Sequence, residues 1–339
     1  MKAIGFIKHL DIDNPESLVD FETVKPTPKG HDLLVNTSAV SVNPVDIGVR
    51  KSGKKDLKQH KIIGWDACGI VSEVGKDVTL FKPGDRVFYA GSFIRSGSNS
   101  EYQLVDERIV GHAPKRLKDD QAAAMPLTSL TAYEALFEQL ELTFDKNKNS
   151  DKTILIINGA GGVGSVASQL AHLAGLTVIS TASRPESIKW TKEHGADYVV
   201  NHREDLVKQV NDLGYKYVDY ILELKDIDGN WKGMCKLIKP EGRIASITEN
   251  RHPINLSSLT KKKAHFSWEW MYTKSYYHTD DMITQHEILD EIAEMLDNGQ
   301  LKCTLTKSLS PLNAKKLREA HKLVESGHMI GKVVVSDWK

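Results

Sequence analysis

A glycine-rich turn near the middle of the chain most constrains what this sequence can fold into. Gly159-Ala160-Gly161-Gly162-Val163-Gly164 follows the apolar run 153–158 and opens a predicted helix over 162–174. A nearly continuous apolar run is typical of a strand buried on both faces. In the pattern G-x-G-x-x-G, the first glycine permits a tight turn. The second lets the backbone approach a pyrophosphate, and the third lets the helix pack closely on the sheet.

Because this turn links a buried strand to a helix, it predicts a βαβ unit that binds dinucleotide phosphates at the helix N-terminus. The turn residues 159–164 are all candidate cofactor contacts; the alternative is a glycine-rich turn without a ligand. Strands and helices continue to alternate, which predicts a parallel sheet with helices on both faces. The further predicted strands are 176–181, 198–201, 218–223, 243–247 and 264–270, and the second helix is 185–194.

The chain has a different character before residue 126, where short β-branched runs are separated by Gly, Pro, Asn and Asp. This pattern predicts a β-rich domain of short strands. Its predicted strands are 33–42, 69–74, 86–90 and 101–105. Later segments are predicted as helices (127–142, 282–298, 313–326), a solvated loop (145–152), a turn (240–242) and a last strand (331–336).

Charge and cysteine content exclude several classes of protein. The 45 Lys and Arg residues equal the 45 Asp and Glu residues, which argues against a general nucleic-acid binder or a polybasic membrane protein. The three cysteines, Cys68, Cys235 and Cys303, are too few and too scattered for a disulfide scaffold or a four-cysteine zinc site. The N-terminal apolar run is too short for a signal peptide, and no stretch is long enough for a transmembrane helix. We therefore expect a soluble cytoplasmic protein.

The end of the second strand of the βαβ unit indicates which dinucleotide is bound. An NAD-binding protein usually has an acid about 20 residues after the glycines, where it binds the ribose 2′-hydroxyl. Here that place holds Ser183 and Arg184, and arginine is suited to a 2′-phosphate. The sequence therefore favours NADPH, although Arg184 is alternatively a solvated residue before a proline. Lys189 and His202 are weaker candidates for the same phosphate.

The chain resembles the medium-chain dehydrogenase/reductase superfamily over nearly its whole length. The likeness is in Ser-Val-Asn-Pro-Val-Asp at 41–46, the segment 64–75, Lys-Pro-Gly-Asp-Arg-Val at 82–87, the segment 124–136 and the glycine turn, in that order. Within the superfamily it is similar to the quinone oxidoreductase branch. The segments 180–186, 265–271 and 281–286 resemble the subgroup labelled zinc-type alcohol dehydrogenase-like.

This resemblance implies an α/β protein with two domains. A GroES-like β-rich catalytic domain would comprise 1–125 and 275–339, and a Rossmann domain with a doubly wound parallel sheet would comprise 126–274. The active site would be the cleft between them. In this superfamily the last strand of the Rossmann sheet commonly pairs across a two-fold axis, so the resemblance also implies a homodimer.

The zinc ligands of the family's alcohol dehydrogenases are missing. Those enzymes have a cysteine after the segment that corresponds to 41–43, a second near 125–127, and Gly-His-Glu where this chain has Gly64-Trp65-Asp66. Their four-cysteine lobe is replaced by the short polar loop 92–100. A catalytic zinc needs about three protein ligands. We therefore expect no metal site.

Other site residues follow from the resemblance and from strand ends. Asn43 and Asp46 would be catalytic residues beside the nicotinamide ribose, with Asn43 donating to the substrate oxygen. Thr128 and Lys332 would contact the cofactor, as would Glu223, Leu224 and Thr248, which follow strand ends. The substrate pocket would be lined by Arg50, which stands where some relatives have a tyrosine, and by Trp65, Trp268 and Met271. For Trp268 and Met271, the core or a dimer interface is the alternative.

Together these features predict an NADPH-dependent, zinc-free oxidoreductase. Without a Lewis acid, the cofactor would reduce an acceptor that is already activated, such as a quinone or an α,β-unsaturated carbonyl. The partner is then a small molecule and not a nucleic acid or a membrane. Two alternatives stay open: a zinc-dependent alcohol dehydrogenase with atypical ligands, and a non-catalytic NADPH-binding protein.

Overall fold

Three β-sheets organise the part of the chain that the computed structural model describes, residues 1–338. The chain divides into two units. The first unit comprises Met1–Leu127 and the segment that begins at Tyr272, and the second comprises Thr128–Met271. The limits expected from the sequence were residues 125 and 274.

The N-terminal part of the first unit is rich in β-structure. The four strands expected from the sequence form with ends shifted by at most two residues, and four further short strands were not predicted. The strands are β1 (Lys2–Phe6), β2 (Val19–Glu22), β3 (Asp32–Ser41), β4 (Lys61–Ile62), β5 (Ala67–Val74), β6 (Arg86–Tyr89), β7 (Tyr102–Asp106) and β8 (Val110–His112). The helices are α1 (Pro44–Lys51) and α2 (Asp119–Ala123).

The second unit contains a six-stranded parallel sheet. Its helices are α3 (Pro126–Tyr133, which begins in the first unit), α4 (Lys146–Asn149), α5 (Gly162–Leu173), α6 (Pro185–Glu193), α7 (Leu206–Asp212) and α8 (Ile227–Leu237). Its strands are β9 (Thr153–Ile157), β10 (Thr177–Thr181), β11 (Tyr198–Val200), β12 (Val218–Glu223), β13 (Ile238–Ser246) and β14 (His265–Trp268). The strand order is β11-β10-β9-β12-β13-β14. From β9 to β11, successive strands are added on one side of β9, and from β12 to β14 they are added on its other side. This is the doubly wound order, and it confirms the predicted fold class.

The C-terminal tail completes the main sheet of the first unit. It contains α9 (Thr273–Tyr277), α10 (Thr284–Asp297), β15 (Leu305–Leu309), α11 (Ala314–Glu325) and β16 (Lys332–Ser336). The last strand, β16, pairs antiparallel with β3, so that Val334 lies opposite Ser41. This pairing brings the start of β16 beside the residues that follow β3. Within residues 1–338, no helix has both the length and the apolar character needed to cross a membrane.

Several local expectations were wrong. The expected loop 145–152 contains α4, because the Asp145 carboxylate accepts a hydrogen bond from the Asn147 N–H at 3.0 Å and starts a helical turn. The expected turn at 240–242 lies inside β13 as a bulge, with Glu241 at φ 62°. The expected helix 127–142 changes from α3 to a π-helix over Glu134–Gln139. Helices α7 and α8 were not predicted; α8 contains Gly229 and Gly233, which are poor helix formers.

The glycine turn after β9 is tighter than its glycines alone explain. The residue with left-handed backbone is Asn158, at φ 75°, and not Gly159. Gly159 is needed for another reason, since a Cβ there would come 2.7 Å from the Cβ of Ser180 on β10. A Cβ on Gly164 would come 2.2 Å from the backbone oxygen of Asn158. Gly164 therefore allows the first turn of α5 to lie against the end of β9.

We expect Gly164→Ala to lower stability, because the new methyl group collides with backbone rather than with a movable side chain. The cost should be about 1–3 kcal/mol, as for other overpacked sites. Gly233→Ala in α8 is the matched control, because its Cβ meets nothing closer than Val207 Cγ2 at 4.0 Å. Helix propensity predicts that this second variant gains up to about 1 kcal/mol. Urea unfolding measures both, and equal effects in the two variants would contradict the close approach.

A histidine at the end of β8 should make stability depend on pH. His112 Nδ1 lies 3.0 Å from Asp290 Oδ2 on α10. This hydrogen bond raises the pKa of His112, against the effect of burial. Burial by itself raises the pKa of Asp290, but the hydrogen bonds from His112 outweigh it and the pKa is lowered. The pair therefore stabilises the fold below about pH 6.5 and loses this contribution as pH rises through the raised histidine pKa.

His112→Ala removes the imidazole but keeps the hydrogen bond from the His112 backbone N–H to Asp290 Oδ1, 2.7 Å long. We expect the variant to be less stable than the unmodified chain at about pH 6, by at most about 1 kcal/mol because both side chains are more than one-third exposed. The difference should shrink at about pH 8.5. Urea unfolding at the two pH values measures it, and a difference that does not change with pH would contradict the assignment.

Candidate functional site

The N-terminus of α5 is built to receive a negatively charged group. Gly161 is its N-cap residue, with extended backbone. The first N–H groups of a helix have no acceptor within the helix, and the helix dipole adds partial positive charge there. A Cβ on Gly161 would come 2.7 Å from Asn158 Nδ2, so a side chain at this position would require the Asn158 amide to move. The residues present therefore fit a dinucleotide pyrophosphate.

Ser183 and Arg184 lie between the end of β10 and the start of α6. The Arg184 backbone N–H donates to Ser187 Oγ at 3.1 Å, which fixes the entry into the helix. The Arg184 side chain is about one-third exposed, and its Nε lies 3.4 Å from Glu186 Oε1. The nearest acid thus pairs with the arginine and does not stand at the strand end itself. This arrangement keeps a guanidinium where an NAD-binding protein has a carboxylate.

Further cations lie at the ends of the neighbouring strands. Burial lowers the pKa of His202, which follows β11, and the positive charges of Arg203 and Lys225 lower it further. Arg203 and Lys225 were not identified from the sequence, although each follows a predicted strand of the parallel sheet. Lys189 is strongly exposed on α6, with its Nζ 3.9 Å from Glu193 Oε1. The carboxyl ends of β11 and β12 therefore carry positive charge.

Glu223, the last residue of β12, has a role that the sequence did not indicate. Its buried carboxylate accepts hydrogen bonds from four donors in the same unit. These are the backbone N–H groups of Lys225 (2.7 Å) and Asp226 (2.5 Å) and the hydroxyls of Ser246 (2.9 Å) and Thr248 (2.5 Å). Both Glu223 and Thr248, expected as cofactor contacts, are thus engaged in holding the loops after β12 and β13. Two more residues expected to contact the cofactor, Leu224 and Thr128, are 7% and 2% exposed.

A buried polar group in the first unit connects segments that are far apart in sequence. Lys332 Nζ, at the start of β16, donates to Asp66 Oδ2 at 2.9 Å, to Val42 O at 3.5 Å and to Asn43 Oδ1. The Asn43 amide in turn donates to Asp66 Oδ2 at 2.8 Å and to Trp65 O at 3.3 Å. The other Asp66 oxygen accepts from the Leu127 N–H at 2.8 Å. All donors of the ammonium and of the amide therefore have acceptors inside the protein.

Asp46 adds a second carboxyl to this group. Its Oδ2 accepts the Asn43 backbone N–H at 2.8 Å, as in a capping box at the start of α1. Burial raises the pKa of Asp46 to about 7; the Asn43 N–H and the charge of Lys332 oppose this rise, and the charge of Asp66 adds to it. Burial also raises the pKa of Asp66, against the effect of Lys332. The site thus holds two carboxyls and one ammonium in the protein interior.

Several residues that were predicted to line the site contact other parts of the protein in the structure. The Asn43 and Lys332 side chains make hydrogen bonds to each other and to Asp66. Arg50, at the far end of α1, is fully buried, and its guanidinium donates to Leu10 O and Glu325 Oε1. It is therefore not gathered with Asn43 and Asp46, because the helix turns its side chain toward α11.

The aromatic residues expected in the substrate pocket are placed differently from one another. Trp65 is 2% exposed and packs between Phe93 and Tyr272, at ring-centroid distances of 5.5 and 6.2 Å. Trp268, the last residue of β14, is 45% exposed, whereas Met271 is 3% exposed. Tyr272 was missed, because a tyrosine between β14 and α9 has no sequence signal of a site. Burial and the charges of Asp46 and Asp66 raise its pKa well above the usual value.

The donor set does not fit a catalytic zinc ion. Within the described residues 1–338, no group of three His, Cys, Asp or Glu side chains is arranged to hold a metal. At the place where the family's zinc enzymes have Gly-His-Glu, Trp65 has no ligating atom and Asp66 is paired with an ammonium. A cation would have to displace Lys332 to reach this carboxylate. Zinc sites are built from Cys, His and carboxylate ligands around an open position.

Comparison with known proteins agrees with this architecture. Residues 29–115 match the family described as alcohol dehydrogenase GroES-like domain, and residues 194–335 match that described as zinc-binding dehydrogenase. A zinc-type alcohol dehydrogenase-like protein of Staphylococcus epidermidis is 44% identical over 336 residues, which cover 99% of each chain. A quinone oxidoreductase of Pongo abelii is 32% identical over 230 residues, which cover 66% of this chain and 67% of the other.

Two solved structures show the same fold. A protein of Rhizobium etli CFN 42 that was assigned as a zinc-dependent alcohol dehydrogenase superposes with a TM-score of 0.95 at 45% identity, over 100% of this chain and 98% of the other. The Escherichia coli quinone oxidoreductase, solved in complex with NADPH, superposes with a TM-score of 0.83 at 26% identity, over 99% and 100%. The chain therefore belongs to the medium-chain dehydrogenase/reductase superfamily and is an oxidoreductase of its zinc-type alcohol dehydrogenase-like branch, which is related to the quinone oxidoreductases.

Proposed function

We propose that this protein is an NADPH-dependent, zinc-free reductase that transfers hydride to a quinone or an α,β-unsaturated carbonyl. The observation that supports this most is the arginine at the end of β10, in a sheet whose glycine turn fits a pyrophosphate. The quinone oxidoreductase of Escherichia coli was solved with NADPH, and it shares this fold. The proposal extends that cofactor and that class of acceptor to this chain.

The second unit would hold the cofactor by its phosphates. Backbone N–H groups of 162–164 would bind the pyrophosphate at the N-terminus of α5. Arg184 and Ser183 would bind the 2′-phosphate, and the positive charge of Arg203 and Lys225 would favour it further. Glu223 would act indirectly, because its four hydrogen bonds fix the loops after β12 and β13. When bound, the nicotinamide supplies the hydride.

The charge pattern of the first unit supports an acceptor that needs no Lewis acid. Lys332 and Asp66 neutralise each other at 2.9 Å, so this carboxylate is already satisfied without a metal. A simple ketone accepts hydride slowly unless its oxygen is polarised by a metal or a strong acid. Quinones and enones are already electron-poor at the carbon that accepts hydride. We therefore propose these acceptors rather than a simple ketone.

A homodimer is part of the same proposal. The strand β14 stands at the edge of the six-stranded sheet, where it has a neighbour on one side. Trp268 at its end is 45% exposed. An edge strand with an exposed aromatic residue is suited to pair with another strand. A second copy of this chain would satisfy both features.

The proposal is tested by turnover with the purified protein and no added metal. We expect 1,4-benzoquinone to be reduced with NADPH, seen as loss of the absorbance of the reduced nicotinamide, and reduced much more slowly with NADH. The reason is that Arg184 provides a charge partner for the 2′-phosphate that only NADPH has. A panel of quinones and enones would contradict the proposal if none is turned over, and turnover only with added zinc would favour a zinc alcohol dehydrogenase.

Arg184→Ala should change the cofactor preference. Loss of a charge-assisted contact with the 2′-phosphate should raise the KM for NADPH by about tenfold to a hundredfold. The KM for NADH should change by less than about twofold, because NADH lacks that phosphate. Lys192→Ala, at an exposed position of the same helix, is the matched control and should change neither value. Equal increases of KM for both cofactors would contradict the role of Arg184.

A further inference from the structure

The buried polar group of the first unit contains more acidic side chains than basic ones. It contains two carboxyls, on Asp46 and Asp66, and one ammonium, on Lys332, together with the Asn43 amide. All four side chains are at most 4% exposed. If both carboxyls were ionised, one buried negative charge would have no cation of its own. A buried charge without a partner is costly, and the group then tends to keep a proton.

The geometry shows which carboxyl keeps the proton. Asp66 contacts the ammonium directly at 2.9 Å and also accepts hydrogen bonds from the Asn43 amide and the Leu127 N–H. These three donors, one of which is the ammonium itself, favour the ionised form of Asp66. Asp46 has no such direct ion pair; it is joined to the others through the Asn43 backbone N–H at 2.8 Å. Asp46 is therefore the carboxyl that is protonated first.

The ionisable groups that face Asp46 come from three segments. Lys332, on β16, lowers its pKa, and Asp66, just before β5, raises it. Tyr272, at the start of the tail, is affected by both carboxyls, and its own pKa is raised so far that its hydroxyl stays protonated. Asp66 and Lys332 thus act on Asp46 in opposite directions. With burial, the balance leaves the pKa of Asp46 at about 7.

We propose that Asn43, Asp46, Asp66 and Lys332 form a proton-holding site, in which Asp46 keeps the proton that the acceptor takes up and Asp66 and Lys332 set how tightly it is kept. This inference rests on the proposed function. A quinone takes up one hydride and one proton to become a hydroquinone, so the hydride needs a proton to accompany it. The O–H bond of Asp46 breaks, a new O–H bond forms on the acceptor oxygen, and solvent later returns a proton to the carboxylate. Asp66 and Lys332 are positioning residues in this step.

The test uses two variants with opposite expected effects. Asp66→Asn removes a negative charge and leaves Lys332 to act on Asp46, so Asp46 should lose its proton at lower pH. Lys332→Met removes the positive charge and keeps most of the stem, so Asp46 should lose its proton at higher pH. Each shift should be about one pH unit or more, which is the effect of one nearby charge in a buried site. Damage to the fold would not shift the two variants in opposite directions.

Two readouts separate this inference from the proposed function. The first is infrared difference spectroscopy against pH, in which the carboxylic acid band of Asp46 is the one lost in Asp46→Asn. The second is the pH profile of kcat with NADPH and 1,4-benzoquinone, whose alkaline limb should move with the infrared midpoint. Lys307→Met, at an exposed position of β15, is the control and should move neither. If Lys332→Met does not fold, the direction of the Asp66→Asn shift alone decides.

The outcomes are distinct. An infrared midpoint that moves in opposite directions, together with the pH profile, supports the proton-holding site. A midpoint that is the same in all variants, or that moves in one direction only, overturns it, even if turnover is normal. Infrared shifts without a matching shift in the pH profile overturn the part of the inference that gives this proton to the acceptor. Absence of turnover with every acceptor contradicts the proposed function, and the infrared result then still decides whether Asp46 holds a proton.

Discussion

The hydrogen-bonded ion pair between Lys332 and Asp66 is the interaction on which the first unit depends. It joins residues 266 positions apart and attaches the last strand to the segment before β5. Asn43 is bonded to both, so the pair also fixes the start of α1. Breaking a buried pair by removing one partner leaves an uncompensated charge in the interior, which typically costs 3–5 kcal/mol. The C-terminal tail is thus necessary for the site and not an appendage to it.

Under the proposed function, the same pair distinguishes this chain from the zinc enzymes of its superfamily. A buried ammonium competes with a metal ion for the lone pairs and the charge of the carboxylate that it contacts. By pairing Asp66 with Lys332, the protein neutralises this buried carboxylate with its own cation. The surplus carboxyl, Asp46, is then left with a pKa near neutrality. This is the range in which a group can both give and regain a proton in water.

Much of the fold could be predicted from the sequence, because local patterns determine it. The apolar run before Gly159 and the alternation of strands and helices indicated the parallel sheet, which is confirmed. The roles predicted for the individual glycines were less accurate. Asn158 has the left-handed backbone, while Gly159 is needed for its close approach to Ser180. A contact between two neighbouring strands depends on how they pack, so the local sequence around either residue does not predict it.

The site was predicted less completely, for a related reason. Asn43, Asp46 and Lys332 were named, but the contact of Lys332 with Asp66 depends on how β16 pairs with β3, which no local pattern shows. Lys332 was therefore expected to contact the cofactor. Glu223 was likewise expected to contact the cofactor, because a carboxylate at a strand end is a common cofactor ligand. The Glu223 carboxylate instead accepts four hydrogen bonds from the loops after β12 and β13 and from the end of β13, and these contacts depend on the folded positions of the loops.

The central claim is that the Lys332 ammonium, and not a metal ion, provides the positive charge beside the buried Asp66 carboxylate. It is tested most directly by elemental analysis of the protein, purified without added metal and without chelators, next to its Lys332→Met variant. We predict that the unmodified protein contains far less than one zinc or other divalent metal ion per chain. Close to one zinc ion per chain in the unmodified protein would contradict the account.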